Sequence, residues 1–261
     1  MSLDEIIFRI ILGLIIGFFV GLTSIGSGVL VLPILTLLLK DLTMAIGTTT
    51  LYAFLTKIIA SLNHIKLKTI KWDIASSFLI GAIPSTFIFA LIISSSKTAK
   101  FEQLLSNIII LIIIFGITMM ILDTFKFKNH SNKNSLIKTI NSNKKAQTIT
   151  AFLFGLICGA LVGSTSIGAG IIVIPILITL FKLKASQAVG TSIFMAFIMT
   201  MITSLIFGLN GQQDYQTAII MSIGSLIGII FGSKLSIILS DLILRIIVIT
   251  LMILGLFIML L

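Results

Sequence analysis

The sequence predicts an all-α polytopic membrane protein made of two inverted-topology repeats, each a short re-entrant or broken helix pair followed by three transmembrane helices. Three observations predict it. Of 261 residues 57 % are hydrophobic, only 10 % are charged, and the mean hydropathy is +1.24, whereas an ordinary soluble domain carries about a quarter charged residues. The apolar residues are gathered into long uninterrupted runs. The chain also repeats itself: residues 13–33 align without a gap on 155–175, with 13 of 21 positions identical.

The runs cover 6–22, 29–39, 45–62, 74–93, 104–122, 149–162, 171–181, 189–209, 217–238 and 242–261. A helical crossing needs about 20 residues, so the third to fifth and the last three runs are expected to span. Runs 29–39 and 171–181 hold 11 residues each, about 16 Å of helix, and are expected to be half-helices. The first run follows Met-Ser-Leu-Asp-Glu; an acidic start without a small-residue cleavage site reads as a retained segment, not a signal peptide.

Charge sets the orientation. The net charge is +10, but the lysines cluster at the ends of apolar runs. Segment 123–148 carries Lys126, Lys128, Lys133, Lys138, Lys144 and Lys145. By the positive-inside bias it is a cytoplasmic linker between a first repeat, 1–122, and a second, 149–261. The loop 64–71, with Lys66, Lys68 and Lys71, falls on the same side. Its counterpart 210–216 has no basic residue and one acid, Asp214, and reads as external. Three crossings per half make the second repeat upside down relative to the first and place both termini outside. Inverted repeats with interrupted helices are a transporter architecture with the site between the halves.

The strongest motif is Thr23-Ser24-Ile-Gly26-Ser27-Gly28, repeated as Thr165-Ser166-Ile-Gly168-Ala169-Gly170 and followed in each half by Pro33 or Pro175. Irregular backbone at membrane depth persists only where protein or a wet cavity satisfies it. The half-helices that follow would aim N–H groups and the positive end of a dipole at the loops. Two such loops meeting from opposite sides would form a cage for an anion. Gly13, Gly17 and Gly21, at four-residue spacing, fit close helix packing instead. Thr48 and Thr49, matched by Thr191 and Ser192, read either as small packing and capping residues or as hydroxyls that complete the cage. Lys57, the one charge well inside a spanning run, either snorkels to the cytoplasmic surface or attracts the anion. His64 reads as an interfacial helix end beside Trp72 or as a proton-coupling group.

The composition excludes a soluble enzyme, a nucleic-acid reader and a secreted disulfide scaffold; the single cysteine, Cys158, reads as a packing residue. No carboxylate pair, His cluster or Cys pair sits at membrane depth, so no catalytic residue, metal site or cofactor is expected. All eight acids lie at run ends or in loops, which argues against a metal-cation carrier. The expected partners are a small anionic substrate and the lipid bilayer, with protons as coupling ion. An uncoupled anion channel stays open, as does oligomeric state, a homodimer included.

The duplicated Gly-x-x-Ser-Ile-Gly-x-Gly-x-x-x-x-Pro segment, the Ala-x-Gly-Thr-Ser/Thr segment and His64 before a basic loop together resemble the TauE/SafE (TSUP) family of sulfite and organosulfonate exporters. The resemblance covers both halves except the linker. Ser27 and Ala169 stand where members often carry a further glycine. The resemblance implies movement of small sulfur-containing anions, such as sulfite, thiosulfate or sulfoacetate, across the prokaryotic cytoplasmic membrane; a non-sulfur anion stays an alternative.

Overall fold

The computed structural model describes residues 3–25, 27–95, 99–127, 143–167, 170 and 172–260. Among them the chain forms ten helices and no strand: α1 (Leu3–Thr23), α2 (Val31–Leu39), α3 (Leu42–Lys66), α4 (Trp72–Ser95), α5 (Ala99–Phe127), α6 (Lys144–Thr165), α7 (Val173–Thr179), α8 (Ala185–Leu209), α9 (Tyr215–Ile238) and α10 (Asp241–Leu260). The helices α5 and α6 reach into both ends of the Lys-rich segment; its middle, 128–142, lies outside the described residues.

Eight helices are long and apolar enough to cross a membrane, all but α2 and α7. The expectation of six is corrected in α1 and α6. Both continue as helix through Gly-Leu-Thr and Gly-Ser-Thr, and α6 also has a polar first turn, so their apolar runs understate their length. The pairs are therefore one full-length helix and one half-helix, α2 and α7 having 9 and 7 residues.

Glycines set the closest helix pairs. A methyl built at Gly13, Gly17 or Gly21 of α1 would lie 2.0, 2.6 or 2.5 Å from backbone at Met221, Ser225 or Ile229 of α9. The answering glycines Gly224, Gly228 and Gly232 meet Ile10, Leu14 and Phe18. Both series climb together, so α1 and α9 run parallel with their backbones in contact, the small-residue packing used in bilayers. Helices α4 and α6 repeat the arrangement: Gly155, Gly159 and Gly163 press on Phe78, Ala82 and Thr86.

At the centre α3 crosses α8. Gly47, near the start of α3, abuts Phe207 in the last turn of α8 and Gln212 just beyond it, and Gly190, near the start of α8, abuts His64 in the last turn of α3 and Thr69 just beyond it. Phe54 and Phe197 stack midway, ring centroids 5.9 Å apart. These two repeat counterparts thus run antiparallel. The loop between α3 and α4 adjoins the start of α8: the Lys71 N–H donates to Thr191 Oγ1 (3.0 Å). Across the molecule the Asp214 N–H donates to Thr48 Oγ1 (2.9 Å), so α3 and α9 start on one face.

The short helices turn the chain back. Helix α1 starts on the face where α3 and α9 start and climbs until Gly21 O lies 3.4 Å from His64 Nε2, near the far end of α3. Helix α2 then returns the chain to Asp41, whose carboxylate accepts from Met44 N–H (2.8 Å) and caps α3. Helices α6 and α7 do the same from the other face, where the α3–α4 loop lies.

Candidate functional site

The two glycine loops are in contact. A methyl at Gly28 would lie 2.6 Å from Ser166 O, and one at Gly170 would lie 2.8 Å from Ser24 O and 2.7 Å from Ile25 Cγ1. Each glycine is therefore the gap into which the other loop fits. Both loops have one shape. Thr23 Oγ1 donates to Phe19 O (2.8 Å) and accepts from Ile25 N–H (3.1 Å); Thr165 Oγ1 donates to Leu161 O (2.7 Å) and accepts from Ile167 N–H (3.1 Å). Ser24 and Ser166 are left-handed, φ 62° and 60°, ending α1 and α6 on a tight reversal. The candidates Gly26, Gly168 and Ala169 lie outside the described residues.

Neither half-helix has a side-chain cap at its N-terminus. Their first bonds are long, Leu32 N–H to Gly28 O 3.2 Å and Ile174 N–H to Gly170 O 3.4 Å. Pro33 and Pro175, both buried in the first turns, remove a donor there.

The hydroxyls divide into two kinds. Thr48 and Thr191 hold the first N–H groups before α9 and α4, each reaching across to the opposite half; the structure spends them on docking. Their neighbours behave otherwise. Ser192 Oγ shares a hydrogen bond with Ser24 Oγ (3.2 Å), which ties α8 to the first loop. The repeat counterparts of that pair are Thr49 and Ser166. Both are buried, and neither hydroxyl has a hydrogen-bond partner among the described residues.

Lys57 does not snorkel. It is 2 % exposed, and its Nζ donates to Ser27 Oγ inside the first loop. No carboxylate among the described residues pairs with it. Burying an ammonium without a counter-ion costs on the order of several kcal/mol. Its repeat position is Thr200, which donates to Ala196 O (2.8 Å), so the cation belongs to one half alone.

His64, in the last turn of α3, is fully buried within the protein. Its Nδ1 lies 2.9 Å from Thr69 Oγ1, and with the contact to Gly21 it pins the end of α3 to α1 two residues before the first loop. The beta-carbon-free Gly190 packs on the same ring, 3.0 Å from Nδ1 to a built methyl. Trp72, half-exposed, packs edge-on to Phe194 instead (4.8 Å). Among the described residues no cluster of three or more His, Cys, Asp or Glu could hold a metal ion.

Sequence reasoning missed Tyr52, whose hydroxyl lies 2.8 Å from Ser225 Oγ; Ser225 Oγ in turn donates to Gly13 O (2.8 Å). This buried chain joins α3, α9 and α1. Sequence reasoning also missed Arg245, a second buried cation, in α10.

Comparison with known proteins places this architecture. No solved structure matches the chain. The family described as sulfite exporter TauE/SafE matches residues 9–259. The chain is 33 % identical over 233 residues to the probable membrane transporter protein YjnA of Bacillus subtilis, covering 87 % of this chain and 89 % of that one. It is 27 % identical over 240 residues to the probable membrane transporter protein YunE of the same organism, covering 87 % and 85 %. It is 31 % identical over 193 residues to the probable membrane transporter protein MJ0441 of Methanocaldococcus jannaschii, covering 70 % and 65 %. A match running from within α1 to the end of α10 takes in both glycine loops and the helices that hold them, and the chain belongs to the TauE/SafE family of probable membrane transporters.

Proposed function

We propose that the protein is a secondary transporter that carries a small anion, of the sulfur oxyanion or organosulfonate class, across the cytoplasmic membrane. One observation carries the reading: a buried lysine with no carboxylate partner among the described residues, bonded into one of two glycine loops that interlock. An anion there supplies the missing counter-charge, and the loops supply hydroxyls and backbone N–H groups. The sulfur class rests on the family description.

The antiparallel crossing of α3 and α8 and the exchange of packing partners between halves support two inverted repeats. Lys66, Lys68, Lys71, Lys182 and Lys184 flank the α3–α4 loop and the start of α8 on one face, which supports a cytoplasmic assignment for it. Both termini and the loop 210–214 then lie outside. Alternating access follows from the broken symmetry of the hydroxyls. In this state Ser24 and Ser192 are closed on each other, while Ser166 and Thr49 are free to receive substrate oxygens. Rocking of the repeats exchanges the two conditions. Protons couple through His64, the titratable ring that locks α1 to α3.

The test is uptake of radiolabelled sulfite into proteoliposomes with and without an imposed pH gradient, with thiosulfate, sulfoacetate, taurine and sulfate as competitors. Saturable, gradient-driven flux that Lys57→Gln abolishes is the expected result. Flux indifferent to the gradient would make the protein an uncoupled channel. No flux of any of these anions would remove the sulfur assignment.

A further inference from the structure

An apolar cleft of about 600 Å³ opens between α5, α6 and α7, reaching at one end Ile172, the N-cap of α7. Ile112 and Phe115 line it from α5, Ile157 and Leu161 from α6, Ile176 and Leu180 from α7 and its C-cap. Its one polar lining residue among those described, Thr179, has its hydroxyl committed to Pro175 O (2.8 Å). A cavity without polar partners does not hold ordered water, and an unfilled one forfeits dispersion contacts along its walls.

What fills it is set by its surroundings. Phe115 and Ile157 on its rim are each 55 % exposed, so it opens onto the lipid-facing surface. Leu180 marks one end. Lys182 and Lys184 follow directly, both exposed, and Lys144 and Lys145 at the start of α6 are exposed on the same face. Basic clusters beside apolar clefts at the cytoplasmic boundary recognise anionic headgroups.

We propose that the cleft between α5, α6 and α7 binds an anionic phospholipid, with an acyl chain in the cleft and the phosphate at Lys182 and Lys184. The site is independent of the transport reading. The experiment uses the full chain with Trp72→Phe as background and Phe115→Trp as reporter in the cleft. Phe231→Trp, 65 % exposed on α9, reports ordinary lipid contact. Each is reconstituted in phosphatidylcholine vesicles containing brominated phosphatidylglycerol or, in a matched set, brominated phosphatidylcholine. The Phe115→Trp reporter should favour the phosphatidylglycerol quencher by about thirtyfold in relative affinity, the value two membrane-surface lysines supply. The Phe231→Trp reporter should not discriminate, and Lys182→Gln with Lys184→Gln should abolish the preference while leaving quenching by phosphatidylcholine. Equal quenching by both lipids at Phe115→Trp, the same preference at Phe231→Trp, or a preference that survives the lysine changes would each overturn the proposal.

Discussion

Ser24 Oγ lies 3.2 Å from Ser192 Oγ, while the hydroxyls of Ser166 and Thr49, which occupy the same two positions in the other half, are buried and have no hydrogen-bond partner among the described residues. A repeat built to one pattern therefore holds two different states of the same contact. The consequence is measurable in single substitutions. Ser24→Ala removes the hydrogen bond to Ser192 and should lower stability by about 1 kcal/mol. Ser166→Ala removes a hydroxyl that has nothing to lose, so thermal unfolding in detergent should be unchanged or slightly improved. If that hydroxyl receives the anion, its removal should raise KM about tenfold, since a bond to a charged group is worth about 1.5–3 kcal/mol. A Ser166→Ala protein with unaltered KM would detach this loop from the substrate.

Lys57 gives the opposite balance between fold and function. Replacing a buried ion by an apolar side chain of similar volume is often neutral or stabilising, so Lys57→Met should unfold at the same temperature as the parent or higher. The parent should gain stability on saturation with sulfite, about 2.7 kcal/mol at a hundredfold excess over Kd, and Lys57→Met should gain none. Thermal unfolding with and without sulfite checks both halves of the statement.

Much of this was legible in the sequence, and the boundary is physical. The loops and half-helices declared themselves because glycine, a following proline and paired hydroxyls recur at one spacing inside apolar runs. The direction of Lys57 was not legible. A lysine six residues from a helix end can reach the surface or turn inward, and the phase of α3 against the first loop decides. The choice between Thr48 and Thr49 was hidden for the same reason. Neighbours on a helix point about 100° apart, so only one of each pair can face the opposite helix start, and the contact of α3 with α9 that selects it is tertiary. The length of α1 and α6 was masked because glycine, serine and threonine read as loop until their close partners are known.

Thr48 and Thr191 should therefore behave as structural residues. Thr48→Ala and Thr191→Ala leave the Asp214 and Lys71 N–H groups without their acceptor, and each should cost about 1 kcal/mol. Serine at either position keeps the oxygen and should restore most of the loss. KM for the transported anion should stay within about twofold in all four variants. A large KM effect in Thr48→Ser would return that hydroxyl to the site.

His64 links coupling to a single side chain. His64→Gln keeps a side chain able to bond Thr69 and Gly21 but cannot take up a proton. The variant should fold, bind sulfite and still exchange it, yet lose acceleration by an imposed pH gradient. Counterflow under equal pH, compared with gradient-driven uptake, separates the two. Gradient-driven uptake that survives in His64→Gln would take the coupling away from this ring.

The face assignment can be tested without any substrate. Cys158 is fully buried and is replaced by serine to leave no native thiol. Lys68 and Lys182 are exposed on the lysine-rich face, and Gln216 is exposed at the start of α9 on the other. Because α3 and α9 start together and α8 starts opposite them, one orientation fixes all three positions. A membrane-impermeant maleimide added to intact cells should label Gln216→Cys and spare Lys68→Cys and Lys182→Cys until the membrane is opened. Labelling of Lys68→Cys and Lys182→Cys with protection of Gln216→Cys would invert the molecule. Lys68→Cys and Lys182→Cys reporting on different sides would contradict the helix directions themselves, because the α3–α4 loop and the start of α8 share one face through the bond from Lys71 to Thr191.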